Sequence, residues 1–189
     1  RIYYDKNLSK HMPPGDRPAY MRKLAKEHLE FVNKIKNVPC ADCGNMFGAH
    51  CMEFDHVEGI KRHNVAQMNS YKRETVVEEI RKCEIVCSIC HRLRTANRRP
   101  GVTKSKHVAK YRVWINELKN NPCIDCGVVA HPTAMDFDHV RGQKAASISN
   151  MWAYSREETL TEIAKCDLVC ANCHRARTVS RLRYGEEAA

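Results

Sequence analysis

The sequence predicts an α+β fold assembled from two tandem copies of one small module, and three observations carry that expectation. Seven chemically distinctive pairs, Cys40/Cys123, Cys43/Cys126, Asp55/Asp138, His56/His139, Cys87/Cys170, Cys90/Cys173 and His91/His174, are each separated by 83 positions. Stretches with helical apolar spacing alternate with short runs rich in β-branched and aromatic residues. Eight of the eleven cysteines fall in four Cys-x-x-Cys pairs, two in each copy.

The repeat extends to Gly44/Gly127, Gly59/Gly142, Lys61/Lys144, Tyr71/Tyr154, Arg73/Arg156, Cys83/Cys166, Arg94/Arg177 and Thr95/Thr178, with no insertion between copies. Two units are too short a series for a solenoid, so this is a duplication. It divides the chain into an N-terminal arm (1–16), a first module (17–98), a linker (99–106) and a second module (107–189).

Composition narrows the function class. With 43% hydrophobic residues and no long apolar run, the sequence contains no transmembrane span. The formal charge of +10 is shared evenly, +5 for residues 1–97 and +5 for 98–189, so each half suits a polyanion. Paired cysteines without a recognisable secretory signal point to metal ligation in a reducing, intracellular and cytoplasmic setting rather than to disulfides.

Residues 1–16 show no apolar periodicity and have no counterpart in the second copy. Asp16 can cap a helix whose first turn accommodates Pro18, and Met21, Leu24, Phe31 and Ile35 carry one apolar stripe down to Lys36. Pro39-Cys40-Ala41-Asp42-Cys43-Gly44 makes a metal knuckle in which glycine supplies the tight backbone after the second ligand. Met52 to Val57 is expected to be the first strand of a hairpin that turns near Glu58-Gly59 and returns through Val65 to Met68. Arg73 to Lys82 reads as a helix, and its counterpart opens with a capping-box pattern, Ser155 to Glu158. From His91 a last helix should run toward Arg98, ended by Pro100-Gly101. In the second copy Val108, Tyr111, Ile115 and Leu118 mark the preceding helix, and Glu186 to Ala189 reads as a loose tail.

Two Cys-x-x-Cys pairs per copy supply four thiolates, the donor set of a closed, tetrahedral structural Zn²⁺ site. The expected ligands are Cys40, Cys43, Cys87 and Cys90 for one ion and Cys123, Cys126, Cys170 and Cys173 for the other. A thioredoxin-like redox role would require a βαβ context that is missing. Cys51, Cys83 and Cys166 lie outside the knuckles and are expected to be packed, as are His50 and His131 in ordinary roles.

Around these knuckles stand Phe54-Asp55-His56-Val57, then Lys82-Cys83-Glu84-Ile85-Val86-Cys87-x-x-Cys90-His91-Arg92 and Thr95, with equivalents in the second copy. In this combination the chain resembles the zinc-knuckle HNH endonucleases, whose core is a ββα-metal nuclease fold, over about residues 39–98 and again 122–181. Many members carry Asn at the middle or last motif position, where both copies here have His last. The resemblance implies two tandem zinc-stabilised ββα-metal (HNH) modules, each with a preceding helix. It also implies that Asp55 and His91 bind one catalytic Mg²⁺ or Mn²⁺ with His56 as general base, and that Asp138, His174 and His139 repeat those roles. The chemistry suits those residue types: a carboxylate oxygen and an imidazole nitrogen can hold a hard cation, and a near-neutral base can deprotonate water. The bland alternative is that these histidines cap or pack the knuckle, or that His91 is a further zinc ligand.

His91, Arg94, Thr95 and Arg98 fall on one helical face, as do His174, Arg177, Thr178 and Arg181. Arginine's planar fork matches phosphate oxygens, so Arg92, Arg94, Arg98, Arg175, Arg177 and Arg181, with Lys61 and Lys144, are the candidate DNA-binding residues. A solvated charged face is the plain alternative. The expected activity is cleavage of double-stranded DNA by a monomer acting as an intramolecular pseudo-dimer, and the resemblance implies 5′-phosphate and 3′-hydroxyl ends. The competing class is a non-catalytic zinc nucleic-acid-binding module or structural component of a nucleoprotein complex; among enzymes, a nickase or branched-DNA resolvase. Differences between the copies, Glu58 against Arg141, Arg62 and His63 against Ala145 and Ala146, and Asn69 against Trp152, suggest an asymmetric target.

Overall fold

The computed structural model describes residues 16–98 and 105–187, with side chains to Leu182. The N-terminal arm up to Gly15, most of the expected linker and Ala188-Ala189 lie outside the described residues. The chain divides into two compact units between Val86 and Cys87. The architecture is α+β, with small two-stranded sheets among helices. No helix among the described residues is long and apolar enough to cross a membrane.

In the first unit, α1 (Asp16–Ile35) buries Leu24, His28 and Val32, positions four apart on one face. His28, which has no motif context in the sequence, donates from Nε2 to the Val65 carbonyl at 2.7 Å and so ties α1 to the centre of the unit. β1 (Met52–His56) follows, then α2 (Arg73–Ile80) and β2 (Cys83–Cys87). Val32, Val65, Met68 and Val76 form the core, with Phe31, Phe54, Ile80 and Cys83 packed against them. Each such apolar side chain contributes roughly 1.5–3 kcal/mol when fully buried.

The expected hairpin return through Val65 to Met68 does not form. β1 pairs instead with β2, on the far side of α2 in the chain. Val65–Gln67 is a 3-10 turn whose N-cap, Asn64, accepts the Ala66 N–H at 3.3 Å. Val65 and Met68 are three residues apart and both 1% exposed, a spacing that puts two side chains on one side of a tight helical turn and on opposite sides of a strand.

The second unit holds α3 (Ser88–Arg98), α4 (Lys106–Leu118), β3 (Met135–His139), α5 (Arg156–Ile163), β4 (Cys166–Cys170) and α6 (Ala171–Glu187). Ser105 caps α4, its Oγ accepting the Val108 N–H at 3.4 Å. α3 starts at Ser88 rather than His91, and α6 takes in Glu186 and Glu187 of the expected tail. β3 and β4 are antiparallel, with Met135 opposite Cys170 and His139 opposite Cys166. One core cluster joins Ile115, Ile148, Met151 and Cys166; a second joins Cys123, Met135, Val169 and Cys170. Ile89 of α3 packs on the second cluster. Repeat boundary and packing boundary therefore differ: α3 belongs to the first copy in sequence and to the second unit in space.

Candidate functional site

Each knuckle is a tight turn closed by backbone hydrogen bonds. Gly44 N–H donates to the Cys40 carbonyl at 2.9 Å and Gly127 N–H to the Cys123 carbonyl at 2.8 Å. Both glycines have φ of 71°, in the left-handed region, and a Cβ at either would meet nothing within 4 Å. The backbone conformation, not crowding, selects glycine there. Ala41 N–H to the Ile85 carbonyl and Ile124 N–H to the Leu168 carbonyl, both 3.0 Å, tie each knuckle to β2 and β4 respectively.

Those turns bring the expected ligands together. Cys40, Cys43, Cys87 and Cys90 form one group and Cys123, Cys126, Cys170 and Cys173 the other, with the Sγ atoms of each group all within 4.8 Å of one another. Cys126 Sγ and Cys170 Sγ are 3.8 Å apart, the edge of a sulfur tetrahedron with Zn–S of roughly 2.3 Å. The chain thus has two four-cysteine groups that could hold two structural metal ions, zinc being a fit. Burial pushes the Cys170 thiol up to about 11. At Cys123 burial is again the largest single influence, but several backbone N–H groups together outweigh it and bring the thiol down to about 7. Metal binding at such a site releases protons.

Beside the second four-cysteine group, β3 and α6 gather carboxylates, imidazoles and guanidiniums. His174 Nε2 is 3.6 Å from Asp138 Oδ1, and His174 Nδ1 is 2.8 Å from Asp136 Oδ2. Asp138 is 4% exposed. Its carboxylate accepts from Arg181 at 2.8 and 2.6 Å and from Arg177 at 3.0 Å. Burial by itself would raise Asp138, but these guanidiniums hold its carboxyl below the usual range. Arg177 also grips Asp125 and Asp167, and the Asp125 contact leads in keeping its guanidinium charged. Burial would raise Asp136 as well, but His174 and Arg92 together pull its carboxyl low.

His139 is the next and last residue of β3 and has partners different from those of Asp138. Its Nε2 meets Glu162 Oε1 at 2.9 Å. Glu162 is clamped further by Lys165 Nζ at 2.7 Å and the Ala145 N–H at 2.9 Å. Lys165 is the main cause of its carboxyl lying at about 2 despite burial. A cleft of about 450 Å³ opens here, lined by Lys119, Asp136, His139, Lys144, Asn150 and His174 among others. Lys119 sits over the Phe137 ring at 5.9 Å, and burial lowers its ammonium.

The first copy repeats the histidine clamp. His56 Nε2 lies 2.9 Å from Glu79 Oε1, Lys82 Nζ donates to Oε2 at 2.7 Å, and the backbone N–H groups of Arg62 and His63 donate to Oε1 at 2.9 and 3.2 Å. Burial would raise Glu79, yet these donors bring it down to about 2. Asp55 is 3% exposed on β1, and His91 is half-buried in the first turns of α3.

Of the expected DNA contacts, Lys61, Arg98 and Arg175 are exposed, Arg94 is half-buried, and Lys144 lines the cleft. Arg177 and Arg181 are engaged by acids, and Arg92 donates to Asp136 at 2.8 Å. The recurring threonines have a local explanation: Thr95 and Thr178 hydroxyls each donate to the carbonyl four residues back, at 2.9 Å. Arg141 folds onto its own module, donating to Asp167 at 2.9 Å and the Cys166 carbonyl at 2.7 Å. His131 caps the 3-10 turn Pro132–Ala134, and Cys83 and Cys166 pack in the cores.

Sequence reasoning missed Glu79/Glu162, Lys82/Lys165 and Asp136. The first two pairs do keep the 83-residue register, which is the signal that could have found them. Comparison with known proteins yields no matching family model, no matching curated protein and no matching solved structure.

Proposed function

We propose that the chain is a metal-dependent DNA endonuclease of HNH type, hydrolysing phosphodiester bonds of double-stranded DNA at two pseudo-symmetric sites. The observation that carries this reading is the meeting of Asp138 and His174 at 3.6 Å, with His174 and His139 opening on one cleft. A phosphodiester repels an anionic nucleophile, so its hydrolysis calls for positive charge at the phosphate and a base near the attacking water. Mg²⁺ or Mn²⁺, when bound, supplies neutralisation of the phosphate and the leaving oxygen.

The donors fit such an ion. Asp138 is a buried carboxylate already facing two guanidiniums, so its pocket is built to take positive charge. His174 turns Nε2 toward it. In the first copy Asp55 and His91 would have the same roles. A carboxylate can only accept, so the 2.9 Å contact with Glu162 leaves the proton on His139 Nε2 and makes Nδ1 the basic atom. Glu79 does the same for His56. The two glutamates hold the rings in one tautomer and stabilise the imidazolium that forms when a water proton is taken. Lys144, at the cleft, and the arginines of α3 and α6 are the phosphate contacts of this reading. Two like sites suit the two strands of a duplex.

A second reading is favoured by one contact: Arg177 and Arg181 on Asp138 would also suit a structural counter-ion in a non-catalytic zinc nucleic-acid-binding module. A plasmid assay separates them. With Mg²⁺ or Mn²⁺ the wild type should linearise supercoiled DNA, His56→Ala and His139→Ala should each nick it, and the double variant should lose about 10²–10⁴-fold in rate. Plasmid that is shifted in a gel but stays supercoiled with every divalent ion would establish the non-catalytic reading. A wild type that stops at the nicked circle, or cuts only branched substrates, would make it a nickase or a resolvase.

A further inference from the structure

Arg92 belongs to the first copy by sequence, yet it contacts the second copy's strand. Its Nη1 donates to Asp136 Oδ1 at 2.8 Å, and the other oxygen of that carboxylate meets His174 Nδ1 at 2.8 Å. An ionised carboxylate only accepts, so this arrangement puts the His174 proton on Nδ1. In the neutral ring Nε2 is then the lone-pair nitrogen, and it faces Asp138 Oδ1 at 3.6 Å, beyond hydrogen-bond distance. Each Asp136 oxygen thus has a partner among the described residues, one on either side. A carboxylate held at a single oxygen can turn about its side-chain bonds; one held at both keeps its plane and with it the plane of the imidazole. The side chains of Arg92, Asp136 and His174 are 36%, 21% and 35% exposed. An ion pair this open adds little to stability, which makes orientation the more substantial effect of the contact. The position matching Asp136 in the first copy is Glu53, one methylene longer, so the relay is not duplicated residue for residue.

We propose that Arg92 is a positioning residue for the second site: through Asp136 it fixes the tautomer and ring plane of His174, so the first copy's helix sets the second copy's metal-ligand geometry. The inference rests on the metal-site reading above only for its consequence, since the Arg92–Asp136–His174 relay can be observed without any catalytic metal.

The test uses the full chain with its zinc. Long-range ¹H–¹⁵N spectra of the histidine side chains, with the His174 signals assigned by their loss in His174→Gln, report which ring nitrogen carries the proton. The expected wild-type pattern is a single Nδ1–H tautomer. Arg92→Ala and Asp136→Asn should each give a mixed-tautomer pattern, and Arg92→Lys should restore the single form. A Mn²⁺ titration followed by paramagnetic broadening of His174 should show weakening by about tenfold or more in the first two variants. Wild-type tautomer and Mn²⁺ affinity in Arg92→Ala would overturn the proposal and leave a plain surface ion pair. The tautomer shift without any Mn²⁺ effect on wild-type His174 would uphold the relay while removing the metal-site reading.

Discussion

The two copies agree where a charge is buried and diverge where only a helix has to begin. His56 to Glu79 and His139 to Glu162 are both 2.9 Å, and Lys82 to Glu79 and Lys165 to Glu162 both 2.7 Å. At the start of the next helix they part: Ser155 and Glu158 build a full capping box, whereas Lys72 supplies α2 with no side-chain cap. Inside those helices Val76 of one copy matches Thr159 of the other, 1% and 0% exposed, and the threonine hydroxyl is satisfied by the Ser155 carbonyl at 2.9 Å. Removing one member of a buried charge cluster strands the others without partners, so few substitutions are tolerated. A cap contributes about 1 kcal/mol and has many substitutes. The invariance of the clamp reflects the physics of burial as well as any chemistry of the histidine.

The largest expected difference comes from breaking one knuckle at a time. Structural zinc can contribute about 10–16 kcal/mol in small domains, more than the whole net stability of a module of this size. Cys170→Ser should halve the zinc content and abolish hydrogen-exchange protection along β3 and β4. Cys40→Ser should remove the other ion and protection along β1. If either variant keeps both ions and all protected strands, the modules do not depend on their knuckles.

A smaller and graded effect belongs to the clamps. The Glu79 and Glu162 carboxyls lie at about 2 against an ordinary 4.5. Because the folded values are depressed, the stabilisation is complete above about pH 4.5 and is lost as pH falls from there toward 2. Unfolding midpoints measured across that window should drop less steeply for Glu79→Gln and for Glu162→Gln than for wild type, by similar amounts. Equal slopes for wild type and both variants would show that the matched distances carry no matched energetics.

The smallest effect should be one-sided. Ser155→Ala removes a capping box and should cost about 1 kcal/mol in a denaturant titration, while Lys72→Ser should gain a few tenths of that in the first copy. Equal responses at the two positions would dissolve the contrast drawn between them.

Much of the fold was legible because it rests on local signals: cysteine spacing, the Ser155 cap, the apolar stripes of α1 and α4. The partner of β1 was not. Strand pairing across α2 is a non-local choice, and the apolar Val65 and Met68 satisfy a strand pattern and a tight turn alike until burial separates them. The Asp-His and His positions could be read from motif and repeat, whereas the acids that hold them belong to no motif. Glu79 and Glu162 sit on helices among other acids, and only the 83-residue register, which Glu78 breaks because Thr161 stands at the matching position, separates the buried carboxylate from its neighbour. Asp136 was hidden further still, because its counterpart is Glu53 and the copies do not share the residue.

The placement of α3 has a consequence for dissection and for descent. A gene doubled end to end ordinarily yields halves that can be separated again, since each inherits everything it needs. Here a cut near residue 104 would leave the downstream fragment without α3, and the face of Cys123, Met135 and Val169 on which Ile89 packs would be open to water. The same cut would leave α3 on a fragment that lacks that apolar bed. The duplication has become irreversible in the way a grafted branch is: the point where the sequence was joined is no longer the point where the protein comes apart.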